Sequence, residues 1–415
     1  MKKYIFFVVG VMCTLLSHTA YAIDLNKSDA NIIGHVLEKK TGEHLPYMTV
    51  ALKGTTIGTM TDGTGHYFLK NLPEGEFILS VSAVGYKPQE RKVTLKRGKT
   101  LEENFELEED MVALDGVVVT ANRNETARRL APTLVKVVTP KLFDMTNSHT
   151  LSQGLVFQPG VRVENDCQNC GYSQVRINGM DGKYTQILID SRPIFSALAG
   201  VYGLEQIPAN MIERVEVVRG GGSALFGSSA IAGTVNIITK EPLRNSGSFA
   251  HSISNFDGSG SFDNNTTLNL SLVSSDNKMG AYIYGQNRHR SAWDSNGDSF
   301  SELPKLKNQT VGVNAYYRLS PYSKLNLEYH HMEEFRRGGN RFDLPPHIAE
   351  DANLNGSGAP GLVEQIEHSI NTGGLKFSAF SKDQKHAFNA YASAQHIVRD
   401  SYYSAYGLSL IHISE

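Results

Sequence analysis

The chain has 415 residues with 40 basic and 42 acidic side chains, for a formal net charge of −2 at pH 7. A charge so close to zero argues against a nucleic-acid-binding protein, which would need a strongly basic face. The length suffices for two or three domains. Beyond the N-terminus, the sequence has no run of about 18 apolar residues that would predict a membrane-spanning helix.

The N-terminus has the three parts of an export signal. Two lysines follow Met1, residues 4–16 form an apolar run too short to span a bilayer, and the small residues of AYA at 20–22 mark a cleavage site. We predict that residues 1–22 are a signal peptide and that the mature chain begins near Ile23, with an uncleaved signal anchor as the alternative. The protein is therefore expected to be exported.

Residues 23–110 are predicted to form a small all-β domain. Turn signals recur about every ten residues, at 41–42, 62–65 and 73–75, which is typical of a β-sandwich. From 77 to 83, apolar and polar residues alternate as in a half-buried strand. The segment GHV...TGEHLPYMTVALKGT...TMTDGTGHYFLKNLPEG resembles the carboxypeptidase-regulatory-like (transthyretin-like) module. That resemblance implies a scaffold role without enzyme chemistry.

A linker is predicted at residues 111–129, after the acidic patch ELEEDM. Within it, LDGVVVTANRNE contains four β-prone residues, Val117 to Thr120, between polar flanks. This run has two interpretations. It is either the first strand of the next domain or an edge segment offered to a partner by strand addition.

Residues 130–242 are predicted to form an α+β domain of about a hundred residues. TLSQGLVFQPGV predicts a helix that ends near Pro159-Gly160, since that pair stops a helix. YTQILIDSRPI predicts a strand followed by a turn, and IPANMIERVEVVRG predicts a short helix running into a strand.

The glycine-rich stretch VVRGGGSALFGSSAIAGTV has the outline of a phosphate-binding loop but lacks its residues. A dinucleotide fingerprint needs glycine or alanine at the sixth place, where Leu225 stands, and a phosphate loop needs lysine after Gly227, where Ser228 stands. Nucleotide binding is therefore excluded. The glycines suit sharp turns and close backbone approach in a crowded enclosure, such as a plug threaded into a barrel lumen.

From residue 243 to 415 the pattern changes to long alternating strands. Leu268, Leu270 and Leu272 alternate with polar residues, and the same period recurs at 311–319, 325–330 and 388–393. Short turns at 274–278, 320–324 and 381–385 separate long polar loops at 287–308 and 332–368. Strands with one apolar face and loops of unequal length predict a membrane β-barrel, with a soluble β-sandwich as the alternative.

The α+β segment carries a specific family resemblance. IPANMIERVEVVRGGGSALFGSSAIAGTVNIITK resembles the closing segment of the plug domain of TonB-dependent outer-membrane receptors. LSQGLVFQPGVRV, QVRINGMDGKYTQILIDSRPI and GLEQIPANMIERVEVVRG resemble earlier plug segments in the right order. The implied fold is mainly β: an N-terminal transthyretin-like β-sandwich, an α+β plug domain and a partial transmembrane antiparallel β-barrel.

The resemblance also implies a function. A receptor of this family in the outer membrane would take up a metal chelate (siderophore, haem or cobalamin) with energy from TonB. No catalysis and no cofactor are expected. The expected partners are a TonB-type periplasmic energising protein, outer-membrane lipid and a small chelate, with a surface lipoprotein as a further candidate. The alternatives are a glycan or oligosaccharide importer and a surface signalling or adhesion protein.

Site residues follow from the resemblance and from the pattern of charges. The resemblance places the TonB box, the segment gripped by the energising protein, on Val117, Val118, Val119, Thr120 and Ala121. The outer loop HHMEEFRRGGNRFDLPPHIAED is either a solvated loop or a contact for an anionic chelate. The candidate ligand contacts are Arg192, Phe195, Tyr202, Arg336, Arg337, Arg341 and His347.

Cys167 and Cys170 remain after removal of the signal peptide. A zinc site would need four ligands, and the sequence has no second cysteine pair. A thioredoxin-type motif would want a following helix, whereas Gly171 and a strand follow here. We therefore predict a local disulfide in an exported protein.

The number of strands predicts a chain truncated within its barrel. A plugged barrel of this type has about 22 strands, and residues 243–415 supply enough for about seven or eight at the expected spacing. The last residues, LSLIHISE, also lack the aromatic end of a closing strand.

Overall fold

The computed structural model describes residues 30–83, 85–109, 118–119, 126–127, 135–167, 172–193, 207–222, 226–227, 229–258, 260–351, 361–382, 386–404 and 411–414. Within these ranges the chain is mostly β-strand. Its helices there are short, and none is long and apolar enough to cross a membrane.

The N-terminal module is a sandwich of two sheets, as predicted. In one sheet β1 pairs with β4, β7 and β8, and the other has the order β3-β2-β5-β6. The core between the sheets is drawn from side chains between Ala30 and Leu107. Phe77, Leu79 and Val81 are buried, so the predicted alternation is confirmed. The strands are β1 Ala30–Glu38, β2 Thr49–Leu52, β3 Gly58–Met60, β4 His66–Leu72, β5 Gly75–Ser82, β6 Gln89–Leu95, β7 Thr100–Glu102 and β8 Phe105–Leu107.

A linker hairpin and the α+β domain follow. The domain has a five-stranded sheet of order β11-β16-β17-β14-β15 and a separate hairpin of β12 with β13. Pro140 begins α1, a position that suits proline because the first helical N–H has no partner within the helix. The elements are β9 Val118–Val119, β10 Thr126–Ala127, β11 Val135–Val138, α1 Pro140–Met145, α2 Leu151–Leu155, β12 Val161–Cys167, β13 Tyr172–Ile177, β14 Thr185–Ile189, β15 Arg192–Pro193, β16 Ile212–Arg219 and β17 Gly233–Thr239.

The predicted helix and strands of this domain are present, with one difference in length. The helix ends at Leu155, short of Pro159-Gly160. The close backbone approach expected of the glycines is confirmed at Gly233, where a Cβ would lie 2.2 Å from the carbonyl oxygen of Val218.

The described strands after β17 form one antiparallel sheet. Its eight described strands pair in sequence order from β18 to β25, so within the described residues the sheet is an open, partial barrel. The alternation is confirmed: Leu268 and Leu272 are exposed on one face, while Asn265 and Ser271 are buried on the other. The elements are β18 Ser246–Asn255, β19 Phe262–Val273, β20 Met279–Arg290, β21 Lys305–Ser320, β22 Ser323–Gly339, α3 Pro346–Ala349, β23 Val363–Phe380, β24 Ala387–Ser404 and β25 Ile411–Ser414.

The strands at the long-loop end extend further than the sequence predicted. β22 runs to Gly339, and β21 begins at Lys305. The connections therefore begin after Arg290 and Gly339 and end before Lys305 and Val363, so each is shorter than the predicted loops at 287–308 and 332–368. Arg336 and Arg337 consequently belong to a strand of this sheet, β18 to β25, which we call the wall.

The N-terminal module contacts the short-turn end of the wall. The backbone N–H of Thr56 donates to the carbonyl oxygen of Pro321 at 2.9 Å. The Arg318 guanidinium reaches the carbonyl oxygen of Gly58 at 3.4 Å. The guanidinium carbon of Arg244 lies 4.3 Å from the ring centre of Tyr47. The module thus docks beside the turn between β21 and β22.

Candidate functional site between the plug and the wall

The α+β domain lies against the buried, polar face of the wall. Tyr282 and Tyr284 of β20 join the hydrophobic core of that domain, and the Tyr282 hydroxyl donates to the carbonyl oxygen of Asn210 at 2.9 Å. The ring of Tyr284 lies over Gly312, where a Cβ would be only 2.2 Å away. The domain and the wall therefore share a core.

A buried ion pair crosses the interface. The guanidinium of Arg192, in β15, pairs with the carboxylate of Glu328, in β22. Both side chains are largely buried, with exposed fractions of 13% and 15%. Gly374 of β23 provides the room, since a Cβ there would lie 2.3 Å from Arg192 Nη1. Arg192, a predicted ligand contact, is thus placed against the wall.

A second polar contact surrounds His149, just before α2. His149 Nε2 lies 3.1 Å from the hydroxyl of Ser252, and Gln286 donates to the His149 carbonyl oxygen at 3.4 Å. Burial, followed by the nearby positive charge of Arg288, lowers the pKa of His149 below its ordinary value. Asp263 acts in the opposite direction. The arrangement favours a neutral ring.

Charged side chains line the inner face of the wall toward its long-loop end. Arg288 makes a bidentate pair with Asp263, with bonds of 3.0 and 2.6 Å. Arg336, with 1% of its side chain exposed, pairs with Glu334 at 2.6 Å. His368 lies beside the same carboxylate, at 3.9 Å. Guanidinium groups match carboxylates and phosphates, and in this row each of the two guanidinium groups is paired with a carboxylate of the wall.

The long loops are joined to each other. Arg337 donates to the carbonyl oxygens of Asn340 and Arg341, and the Arg341 N–H donates to the carbonyl oxygen of Ser299 at 2.8 Å. His347 lies in α3, within the second loop. The predicted contacts Arg337, Arg341 and His347 are therefore gathered at one end of the sheet, and Arg336 faces the interior beneath them.

Other predicted positions lie outside the described residues. These are Phe195, Tyr202, Val117, Thr120, Ala121 and Cys170, together with the side chains of Val118, Val119 and Cys167. The backbone of Val118–Val119 pairs with Thr126–Ala127 in a two-stranded hairpin.

Glu328, His149 and the Arg288–Asp263 pair were not predicted from the sequence. One signal was present in the alternation itself. Asp263 shares the inward phase of β19 with Asn265, so its charge points away from the apolar face of Leu268. A charged residue among the inward-facing positions of a strand indicates an oppositely charged side chain on the same inner face.

Comparison with known proteins identifies the first two units. Residues 32–119 match the CarboxypepD_reg-like domain, and residues 127–234 match the TonB-dependent receptor plug domain. Residues 127–234 thus form a domain of the TonB-dependent receptor plug family. The α+β domain that lies on the inner face of the wall is therefore the plug domain.

Similar proteins of known name support this assignment of the plug domain. The chain is 32% identical over 229 residues to the vitamin B12 transporter BtuB of Vibrio vulnificus strain YJ016, covering 48% of this chain and 37% of the relative. It is 37% identical over 128 residues to BtuB of Photobacterium profundum, covering 30% of this chain and 20% of the relative. The matches thus span less than two fifths of the length of each of these relatives.

Solved structures show the same fold. The siderophore receptor PiuA of Acinetobacter baumannii aligns with a TM-score of 0.50 and 18% identity, over 70% of this chain and 40% of that one. The closed form of the ferric-catecholate import receptor Fiu from E. coli K12 gives 0.50 and 17% over the same shares. At such identities the likeness concerns the fold alone.

Proposed function

We propose that the whole protein is an outer-membrane receptor for TonB-energised uptake of a metal chelate, a siderophore, haem or cobalamin. The observation that carries this proposal is a plug domain held by polar contacts on the buried face of an antiparallel sheet. The opposite face exposes leucines such as Leu268 and Leu272. One apolar face and one polar face are the pattern of a barrel in an outer membrane.

A corrinoid is the first ligand to test, because the relatives at 32% and 37% identity are vitamin B12 transporters. The ligand would enter from the long-loop end, past Arg341 and His347. It would then meet Arg336 on the inner wall. Arg337, Arg192, Phe195 and Tyr202 complete the proposed contact set.

The energising partner would bind the segment Val117–Ala121. It spans the end of the CarboxypepD_reg-like match at residue 119 and precedes the plug match, which begins at 127. A short β-prone segment outside a domain core can pair with a partner strand. A surface lipoprotein remains a candidate partner on the opposite side of the membrane.

The test is an uptake assay with the full-length protein in a host that lacks its own cobalamin receptor. Radiolabelled cyanocobalamin is expected to accumulate in cells with TonB and to bind without accumulating in cells that lack it. Ferric siderophores, haem and oligosaccharides are supplied in parallel. Uptake of oligosaccharides alone would establish the glycan-importer alternative, and accumulation independent of TonB would contradict the proposal.

A further inference from the structure

Three histidines from separate segments of the N-terminal module lie together on its surface. His35 in β1 and His66 in β4 are direct partners in an antiparallel pair, so their side chains leave the same face of the sheet. The chain then turns and bridges Leu37 to His44. Gly65 lets His44 approach, since a Cβ at Gly65 would lie 2.8 Å from the Cβ of His44.

The spacing of the three rings fits a shared metal ion. The ring centres are 5.3 Å apart for His35 and His44, 5.8 Å for His35 and His66, and 4.9 Å for His44 and His66. Two imidazoles that bind one tetrahedral zinc ion, with metal–nitrogen bonds of about 2 Å, have ring centres about 5 Å apart. The backbone thus already sets the separation that an ion would require.

The rings must still turn to direct their nitrogens at one point. Among the described residues, only Asp294, Asp298 and Glu302 have ligand atoms that converge within 4.8 Å. The ring torsion of histidine has broad minima, and His44 and His66 are exposed. Closing the histidine cluster on an ion therefore requires rotation of side chains and no change in the fold.

One ring already has the hydrogen bonding of a metal ligand. The hydroxyl of Thr64 donates to Asp62 Oδ1 at 2.7 Å and lies 3.1 Å from Nδ1 of His66. Because the single hydroxyl proton goes to Asp62, the Nδ1–H of His66 donates to Thr64. The lone pair of His66 then resides on Nε2. Metal-binding histidines commonly have such an outer hydrogen bond from their second nitrogen.

We propose that His35, His44 and His66 bind one divalent first-row transition-metal ion, with Zn²⁺ as the reference ion. Imidazole nitrogen suits zinc, copper and nickel, and three protein ligands leave a fourth position for water or another ligand. The ion would join β1, β4 and the segment between β1 and β2, and so stabilise the module. This site is independent of the proposed uptake function.

Calorimetric titration tests the site on the full chain, purified in detergent and treated with a chelator. Zn²⁺ is expected to bind at one site that is lost in His44→Ala and in His66→Ala. Thr64→Val should weaken binding by about tenfold or more, as expected for loss of an outer hydrogen bond. The matched control is His386→Ala, an exposed histidine in the turn between β23 and β24, which should bind as the unaltered chain does.

X-ray absorption at the zinc edge separates this site from the carboxylate cluster in the long loop. Three imidazole nitrogens are expected around the ion, and their signal should disappear in His44→Ala. Circular dichroism confirms that each variant is folded. An all-oxygen shell, equal zinc affinity in His44→Ala and the unaltered chain, or no zinc binding at all would each overturn the proposal.

Discussion

At the scale of single residues, the seat of the plug depends on charges that the wall neutralises. Arg192 and Glu328 are 136 positions apart in sequence and still form a largely buried pair. Removing one partner of a buried pair leaves the other charge without compensation. The plug is therefore held by contacts that are costly to break singly.

We expect Glu328→Ala in the full-length protein to destabilise the seated plug by about 3 kcal/mol. The measurement is the free energy of plug unfolding in urea. A double-mutant cycle with Arg192→Ala supplies the control, because it isolates the pairwise energy. A coupling energy of zero would show that the pair does not hold the plug.

A second residue-scale prediction concerns pH. Burial and Arg288 lower the pKa of His149 in the folded protein. In the unfolded protein the pKa of a histidine is about 6.5. The stability contributed by the neutral ring is therefore complete above that value and is lost as the pH falls through the lowered folded pKa. Thermal unfolding between pH 7 and pH 5 should show this loss, and His149→Gln should reduce it. An equal pH dependence in the variant would refute the assignment to His149.

Arg336 shows why part of the site was not predictable from sequence. Alternation identifies strands where one face meets lipid and the other meets water. Toward the long-loop end both faces of β22 carry polar groups, with Glu333 on one face and Glu334 on the other. The period-two signal therefore disappears, so the strand was predicted only as far as residue 330 and the residues from 332 onward were predicted to be a loop. The Arg192–Glu328 pair was unpredictable because no local pattern specifies a contact between distant segments.

At the scale of elements, the predicted TonB box can be tested by removing one of its backbone hydrogen-bond donors. We expect Val118→Pro in the full-length protein to abolish uptake and leave ligand binding unchanged, because proline removes a donor from a segment that must pair as an added strand. Radioligand binding and uptake are measured in the same cells. Val118→Thr is the matched control, since it keeps the N–H and the β-branched shape. Loss of binding together with uptake would favour a structural strand of the plug.

The pair Cys167 and Cys170 gives another element-scale prediction. Cys167 ends β12 and β13 begins at Tyr172, so a disulfide would close the tip of this hairpin. Its loop is short, and we expect it to fix the shape of the tip more than to add stability. Thiol labelling of the exported, unreduced protein should modify neither cysteine. Labelling of both before reduction would disprove the disulfide.

The elements predicted best were strands whose two faces lie in clearly different surroundings. Leu268, Leu270 and Leu272 were predicted on an apolar face and are exposed there, because solvent or lipid on one side and a polar interior on the other impose strict alternation. Phe77, Leu79 and Val81 were predicted correctly because their strand has an apolar core on one side and a more solvent-accessible face on the other. The helix after Thr150 is shorter than predicted. Val156 and Phe157 are exposed, so they do not extend the buried face of the helix.

At the scale of the whole molecule, the module and the wall meet through polar contacts among the described residues. These include backbone carbonyl contacts by Thr56 and Arg318 and the Arg244–Tyr47 stack. Tyr322, in the turn after β21, also packs against the edge of the module core. Interfaces of this polar kind within a chain permit relative movement of domains. The module is therefore expected to retain its fold when the wall is removed.

The last prediction is that residues 23–110 fold when expressed alone. The buried core runs from Ala30 to Leu107 and links both sheets of the sandwich, and a unit with its own core can fold independently. Leaving out Tyr322 removes a partly buried ring from the edge and leaves that core intact. Thermal unfolding followed by circular dichroism should be a single cooperative transition. Leu79→Ala, at a fully buried position of β5, should lower stability by about 2–5 kcal/mol. A module that melts without cooperativity would show that its fold depends on the wall.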